Sequence, residues 1–424
     1  MRNNPSAIRG LYSSNEKYQY TFRDIFRMKD EIDGGALEKA VNTAVKRYPY
    51  FAIKLVKNDN EVIHRVVPND SPVVVAHRTE PLVLCSEETN EHIFAILYDG
   101  KEIYVDMSHA FVDGTGAYEF FKTLLYYYIT EKYGKTFPAG DIRTLDTPIT
   151  EEEVGDPYLH LPPMIEKPVG GVRKAVPCFS LEDGGKITDR TYTVYKLRTK
   201  ENVFIKYCRS NDGSPATMTA VFLAKAIFRL HNNLDKNVRI SMSQNQRPYL
   251  GTPKAHHSLV GNIRLDYPMK VRDWSIEKLG TVSRSMVMLQ SDPGNVLADL
   301  YKTKEFIDSL YAIDDMDTLK AASNKLYASA TRYATALVSY VGKSDFGVLE
   351  DYIESHFCYI DPTYMNLAIE VAAANGCFCY TFMQDFADDI YVKAFVDELR
   401  KEGIEVEFGE AEPLIFPRIN LWES

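Results

Sequence analysis

The sequence predicts an α+β chain folded as two lobes of one topology related by a pseudo-twofold, and three observations carry that expectation. A length of 424 residues exceeds one small module and suits two lobes at roughly 100–200 residues each. Helical and strand patterns alternate in two regions, separated by a stretch near 155–185 where Pro157, Pro162, Pro163, Pro168, Gly170, Gly171 and Pro177 crowd together. A weak internal repeat then links the two regions. Asp99-Gly100 turns into a strand over 101–108, followed by His109, Asp113 and a helix over 116–129. Asn375-Gly376 turns into a strand over 377–384, followed by Asp385, Asp389 and a helix over 390–401. His109 and Asp385 each stand nine residues after their turn glycine, and Met107 matches Met383 in that frame. The division that follows is a first lobe over 1–165, a crossover over 166–190 and a second lobe over 191–424.

Each element has a local reason. Asp33 can cap a helix whose apolar residues Leu37, Ala40, Val41, Ala44 and Val45 fall at helical spacing. Tyr48-Pro49 ends it, because the residue before proline is pushed out of helical geometry. Strand patterns follow at 51–56, 61–67, 73–77, 93–98 and 101–108, the last two joined by Asp99-Gly100, which accepts the positive φ of a tight hairpin turn. In the second region Ser214-Pro215 opens an almost wholly apolar helix to about 230, which predicts burial on most sides. Strands at 238–243 and 259–267, helices at 275–290 and 298–311, strands at 335–341, 356–361, 366–373 and 377–384, and a helix at 390–401 complete the pattern.

Composition narrows the function classes. Forty-nine basic against fifty-nine acidic residues give a net charge of −10, which argues against a general nucleic-acid binder. No run approaches the eighteen apolar residues of a membrane span, and MRNNPSAIRG lacks the apolar core of a secretory signal. Six cysteines without a CxxC pair read as free thiols, and the expected location is the cytoplasm.

The segment that can carry chemistry is Met107-Ser108-His109-Ala110-Phe111-Val112-Asp113-Gly114. Ile103, Val105 and Met107 share one strand face, and period-two alternation puts His109 on the same side as the strand runs out. Gly114 permits backbone geometry that a side chain would obstruct. Spacing alone leaves two readings open, a catalytic imidazole or a satisfied core histidine.

SHAFVDG resembles the HHxxxDG motif of the CoA-dependent acyltransferase superfamily, which includes chloramphenicol acetyltransferase, alcohol acetyltransferases, plant hydroxycinnamoyl-type transferases and peptide-synthetase condensation domains. Residues 33–51, ending in Arg-Tyr-Pro-Tyr-Phe, are similar to the first helix and its exit in the bacterial branch. Residues 240–247 followed by Gly261-Asn262 resemble the "R…GN" region of the second lobe, and Ser339-Tyr340-Val341-Gly342 the later "S-N-x-G" strand. Three features depart from the family pattern: Ser108 replaces the first histidine, Tyr340 stands where asparagine is usual, and Asp345-Phe346-Gly347 only partly echoes DFGWG.

The resemblance implies chloramphenicol-acetyltransferase-like lobes, each a mixed sheet with packed helices, and a tunnel between them. It implies that His109 is a general base taking a proton from an alcohol or amine acceptor that attacks an acyl-CoA thioester, with no covalent intermediate, metal or permanent cofactor. Asp113 is then structural and pairs with an arginine of the second lobe, for which Arg247 is the candidate. Ser339 or a nearby backbone N–H would stabilise the oxyanion. No CoA-contacting residue is assigned, and a monomer is expected. Two alternatives stand beside this: a condensation-type enzyme served by a carrier protein in trans, and a degenerate binding module of the same fold. His256-His257 and Cys377/Cys379 are read as non-ligating, Asp314, Asp315 and Asp317 as a solvated loop, and Tyr126-Tyr127-Tyr128 as packing.

Overall fold

The computed structural model describes residues 5–58, 61–163, 176–328, 333–342, 345–363 and 365–421. Two sheets dominate it. The first runs in the order β11 (Ile353–Ile360), β1 (Thr21–Met28), β6 (Glu102–Ser108), β5 (Phe94–Asp99), β4 (Val75–His77). The second runs β14 (Glu407–Phe408), β7 (Thr193–Lys200), β13 (Cys377–Gln384), β12 (Leu367–Ala374), β10 (Ala336–Tyr340), β8 (Val238–Asn245), β9 (Val260–Tyr267), with β15 (Glu412–Pro413) also on β7. A hairpin of β2 (Ile53–Val56) and β3 (Arg65–Pro68) stands apart.

The repeat read from the sequence has a counterpart in the two sheets. β1-β6-β5-β4 and β7-β13-β12-β10 share their pairing senses: antiparallel, antiparallel, then parallel. A helix follows the second strand of the hairpin in each, Gly114–Tyr133 after β6 and Ile390–Lys401 after β13. Both sheets are mixed and each carries helices on one face. Gly34–Arg47, capped by Asp33 through the Ala36 N–H, packs with Gly114–Tyr133 on the first sheet. Pro215–Leu230, opened by a Ser214–Thr217 capping box, packs with Ile390–Lys401 on the second. The apolar stripes Phe120, Phe121, Leu124, Leu125 and Tyr128 on one side, and Val392, Phe395, Val396 and Leu399 on the other, are buried, each side chain contributing about 1.5–3 kcal/mol.

Several expectations change. β11 falls within the expected second lobe, 191–424, yet it pairs with β1 at the edge of the first sheet. Its alternation (Ile353, Ser355, Phe357, Tyr359 against Glu354, His356, Cys358, Ile360) gives no sign of which sheet it joins. Of the crossover, residues 166–175 lie outside the described residues. The strand expected at 61–67 is confined to Arg65–Pro68, and the helix expected from 298 begins at Pro293, where Asp292 caps Gly294 N–H. Asp315, read as part of a solvated loop, accepts from the Thr318 N–H at 2.8 Å and so caps a helix over Met316–Ala328. The tyrosine triplet packs as expected, Tyr128 in the core with Tyr126 and Tyr127 against it, and it also ties loops: Tyr126 donates to Phe137 O, Tyr127 accepts from Leu145 N–H and Tyr128 accepts from Asp33 N–H.

The face of the second sheet that bears Leu337, Ala368, Ala374, Cys379 and Met383 joins the core of the first lobe, together with Val296, Leu300 and Ile307 from Pro293–Tyr311. The opposite face, with Ile240, Val338, Ile369, Val371 and Phe382, packs on its own helices. The site therefore sits beside a continuous apolar seam between the lobes.

Candidate active site

His109 follows β6 directly, and its N–H donates to Tyr20 O at 2.9 Å. The imidazole stacks on Tyr20 (centroids 4.8 Å apart, planes 19° apart) and meets Phe22 edge-on at 5.3 Å. It is surrounded by protein yet keeps partial solvent access. Nδ1 is buried and makes no hydrogen bond of ordinary geometry, although the carbonyls of His109 itself and of Val112 lie where they favour its protonation. Burial is the largest influence and pushes the imidazole below its ordinary value; Arg9 pushes the same way, while Asp113 opposes. The ring is therefore neutral at pH 7, the state a proton acceptor needs.

Four residues on, the chain is clamped to the other lobe. Asp113 caps Gly114–Tyr133 by accepting from the Gly116 N–H at 3.0 Å, and it also accepts from the Leu259 N–H at 2.9 Å. Its two oxygens take Arg247 Nη1 and Nη2 at 3.0 and 2.7 Å. Arg247 spends its remaining donors on Ala255 O, His257 O and Asn245 Oδ1, so its fork is fully used. Both side chains are 1 % exposed. Burial opposes ionisation of Asp113, but the Arg247 charge and the four hydrogen bonds outweigh it and hold the carboxyl below its ordinary range. Asp113 thus points to the arginine and the helix amides.

Gly114 begins its helix, and the need for glycine is different from the one expected. A Cβ there would come within 2.7 Å of Val341 Cγ2 from the second lobe, and one on Gly116 within 2.2 Å of His256 O. Close approach of the two lobes, more than backbone geometry, excludes a side chain at both positions. Gly116 was not singled out from the sequence, nor were Tyr20, Phe22 and Arg9. The short helix Ala7–Leu11 packs on the same loop: a Cβ on Gly10 would lie 2.4 Å from the Tyr20 ring and 3.0 Å from Ala110 Cα.

The other candidates are placed as follows. Ser108 is fully buried with an unpartnered hydroxyl. Ser339 lies on the face of β10 turned to the first lobe, in register with Glu370 of β12, and no hydrogen bond joins it to His109. Tyr340 turns to the opposite face, against Phe378. Phe346 is a core residue against Phe26 and Tyr118. His256 Nδ1 pairs with Glu153 O at 2.7 Å and His257 Nε2 with Val154 O at 3.2 Å, tying the second lobe to Glu151–Val154. Cys377 Sγ receives an Arg198 N–H at 3.8 Å, and Cys379 is buried in the seam.

Two surface depressions lie on the second lobe. One of about 830 Å³ is lined by Lys200, Lys206, Arg209 and Gly376; its neighbour, about 500 Å³, by Arg209, Arg284, Ser214 and Met288. The residues lining the two depressions include none of the His109–Asp113 loop.

This is the two-lobed fold of CoA-dependent acyltransferases and condensation domains. No protein-family model matches the chain, and no curated protein matches it by sequence. Among solved structures it is similar to polyketide synthase associated protein 5 from Mycobacterium tuberculosis, at 14 % identity and a TM-score of 0.60 over 93 % of this chain and 95 % of that one. It is also similar to TRI101 of F. sporotrichioides complexed with coenzyme A and T-2 (11 %, 0.55, 94 % and 98 %), and to the first condensation domain of the CDA synthetase (11 %, 0.57, 93 % and 93 %). Among the described residues no helix is long and apolar enough to cross a membrane.

Proposed function

We propose that the protein transfers an acetyl or other short acyl group from a CoA thioester to a hydroxyl or amine acceptor, with His109 as general base. The observation that carries this reading is a neutral, partly accessible imidazole at the end of β6, on a loop that Asp113 and Arg247 lock against the second lobe. The acceptor O–H or N–H loses its proton to the imidazole as its heavy atom bonds to the thioester carbon. The tetrahedral intermediate collapses, the C–S bond breaks, and His109 returns the proton to the departing thiolate. Ser339 or a backbone N–H serves the oxyanion in this reading. Lys200, Lys206 and Arg209, with Glu201 among them, line a depression on the second lobe whose net positive charge suits the phosphates of CoA in this reading.

Similarity to a structure complexed with coenzyme A supports the CoA donor, and similarity to a condensation domain keeps a carrier-protein donor as the second arm of the test. The purified protein is incubated with acetyl-CoA or an acetylated carrier protein and a panel of small alcohols and amines, reading thiol release and acylated product. His109→Ala is expected to lower turnover about 10²–10⁴-fold with folding intact. A variant that keeps near-full rate overturns the assignment.

A further inference from the structure

The inward face of the second sheet carries a row of polar side chains, of which the proposed chemistry draws on Ser339 alone, as an oxyanion candidate. Register puts Asn262 of β9 beside Ser243 of β8, and Ser339 of β10 beside Glu370 of β12 and then Thr381 of β13. One step past the pair Val338–Met242, Ser339 also falls beside Ser243. Flanking positions on these strands are largely apolar: Leu337, Ala368 and Met383 on one side, Val341, Ala372 and Cys379 on the other.

Glu370 is the informative member. It is 8 % exposed, no cation pairs with its carboxyl among the described residues, and the hydrogen-bonding group beside it is the Ser339 hydroxyl, which favours the ionised form. The groups that face it are the Ser339 hydroxyl, Thr381 beside it, and Asp24 and Cys358 from the opposite wall. Asp24 is engaged by His356 Nε2 at 2.6 Å. The nearest strand cations are occupied: Lys196, beyond Thr381, pairs with Glu412, and Arg23, on the other face of β1, pairs with Asp106. A carboxyl buried without a cation is costly, and its own chain supplies none. Burial and the neighbouring Asp24 raise it to about 8, so it is largely protonated at pH 7.

The location ties it to His109. Asp24 shares a face of β1 with Phe22, whose ring touches the imidazole at 5.3 Å. Two residues along a strand span about 7 Å, so Asp24, which Glu370 faces, lies one strand repeat along β1 from the residue that contacts His109. We propose that Glu370, with Ser339 beside it, is the acceptor subsite for a protonated amine, and that the substrate class is an amino alcohol or diamine acylated at its far end. This rests on the acyl-transfer reading for the identity of the reaction, but binding of the ammonium can be measured without turnover.

The probes are hexylammonium and hexanol, of matched length, titrated by ligand-observed NMR into wild type, His109→Ala and Glu370→Gln at 0.3 M NaCl to screen the acidic surface. Hexylammonium is expected to bind wild type and His109→Ala at least tenfold more tightly than hexanol. Glu370→Gln is expected to erase the preference, and wild-type affinity for the ammonium should rise between pH 7 and pH 9 as the carboxyl ionises. Absent ammonium binding, equal binding of the two probes by wild type, or a preference intact in Glu370→Gln overturns the subsite. The wild-type comparison decides even if the variant does not fold. Ammonium preference in a protein that turns over neither acetyl-CoA nor an acetylated carrier protein supports the subsite and defeats acyl transfer.

Discussion

At the scale of single residues, the decisive pair is Asp113 and Arg247. Each is 1 % exposed, and each leaves the other an uncompensated buried charge when removed. Breaking such a pair costs about 3–5 kcal/mol, whereas replacing both partners by apolar groups of similar volume is often near neutral. Asp113→Leu is therefore expected to lower the apparent Tm strongly, and the double variant Asp113→Leu with Arg247→Met to recover much of it. Thermal unfolding of the three proteins checks this. A single variant that melts like wild type but has lost activity would contradict the structural role, because it would place Asp113 in the chemistry. His109, by contrast, makes no ion pair, and its Nδ1 no hydrogen bond of ordinary geometry, among the described residues, so its removal should leave the melting profile close to wild type.

At the scale of elements, the loop and helix after β6 are held by shape as well as charge. Gly116 faces a backbone carbonyl, His256 O, that has little room to yield, while a Cβ on Gly35 would meet only Asp33 Oδ1 at 3.4 Å, an ordinary contact. Gly116→Ala should therefore loosen the seam and lower both Tm and turnover. Gly35→Ala should be neutral or stabilising by up to about 1 kcal/mol, the helix preference of alanine over glycine. Equal melting of the two variants would defeat the close-approach argument. The contrast also marks what the sequence made legible. The Asp99-Gly100 and Asn375-Gly376 hairpins, the helix caps at Asp33 and Ser214, and the His109–Asp113 spacing are local signals, and local chemistry announces them. The partnership of Asp113 with Arg247 came only through family resemblance, since 134 residues separate them. Gly116, Tyr20 and Glu370 were silent because their roles depend on what another lobe or strand brings opposite. The move of β11 to the first sheet was silent too: a strand does not encode its neighbours, only its two faces.

At the scale of the whole molecule, buried titratable groups set how stability depends on pH, and two families pull in opposite directions. His64, His92, His109, His231, His256 and His257 are all pushed below the ordinary imidazole value, chiefly by burial, with His257 at about 4. A folded chain that binds fewer protons than the unfolded one loses stability as pH falls. The histidine contribution is thus fully present above about 6.5 and fades below it, about 3 kcal/mol being at stake for His257 alone between 6.5 and 4. Glu370 at about 8 and Asp361 at about 6 are raised by burial and act the other way, costing stability as pH rises through 4.5–8 and 3.8–6 respectively. On acidification the six imidazoles cost stability while six raised carboxyls, Asp106, Asp156, Asp299, Asp361, Glu370 and Asp385, return it, so the acid limb is the balance of the two sets. Between 6.5 and 8 the imidazole contribution is nearly flat and the Glu370 slope remains, so Tm should decline gently as pH rises through that window. Glu370→Gln cannot ionise, and its alkaline limb should flatten while its acid limb persists. Calorimetric scans of wild type and Glu370→Gln from pH 5 to pH 8.5 measure both limbs. An alkaline slope identical in the two proteins would show that Glu370 carries no ionisation cost in the folded chain.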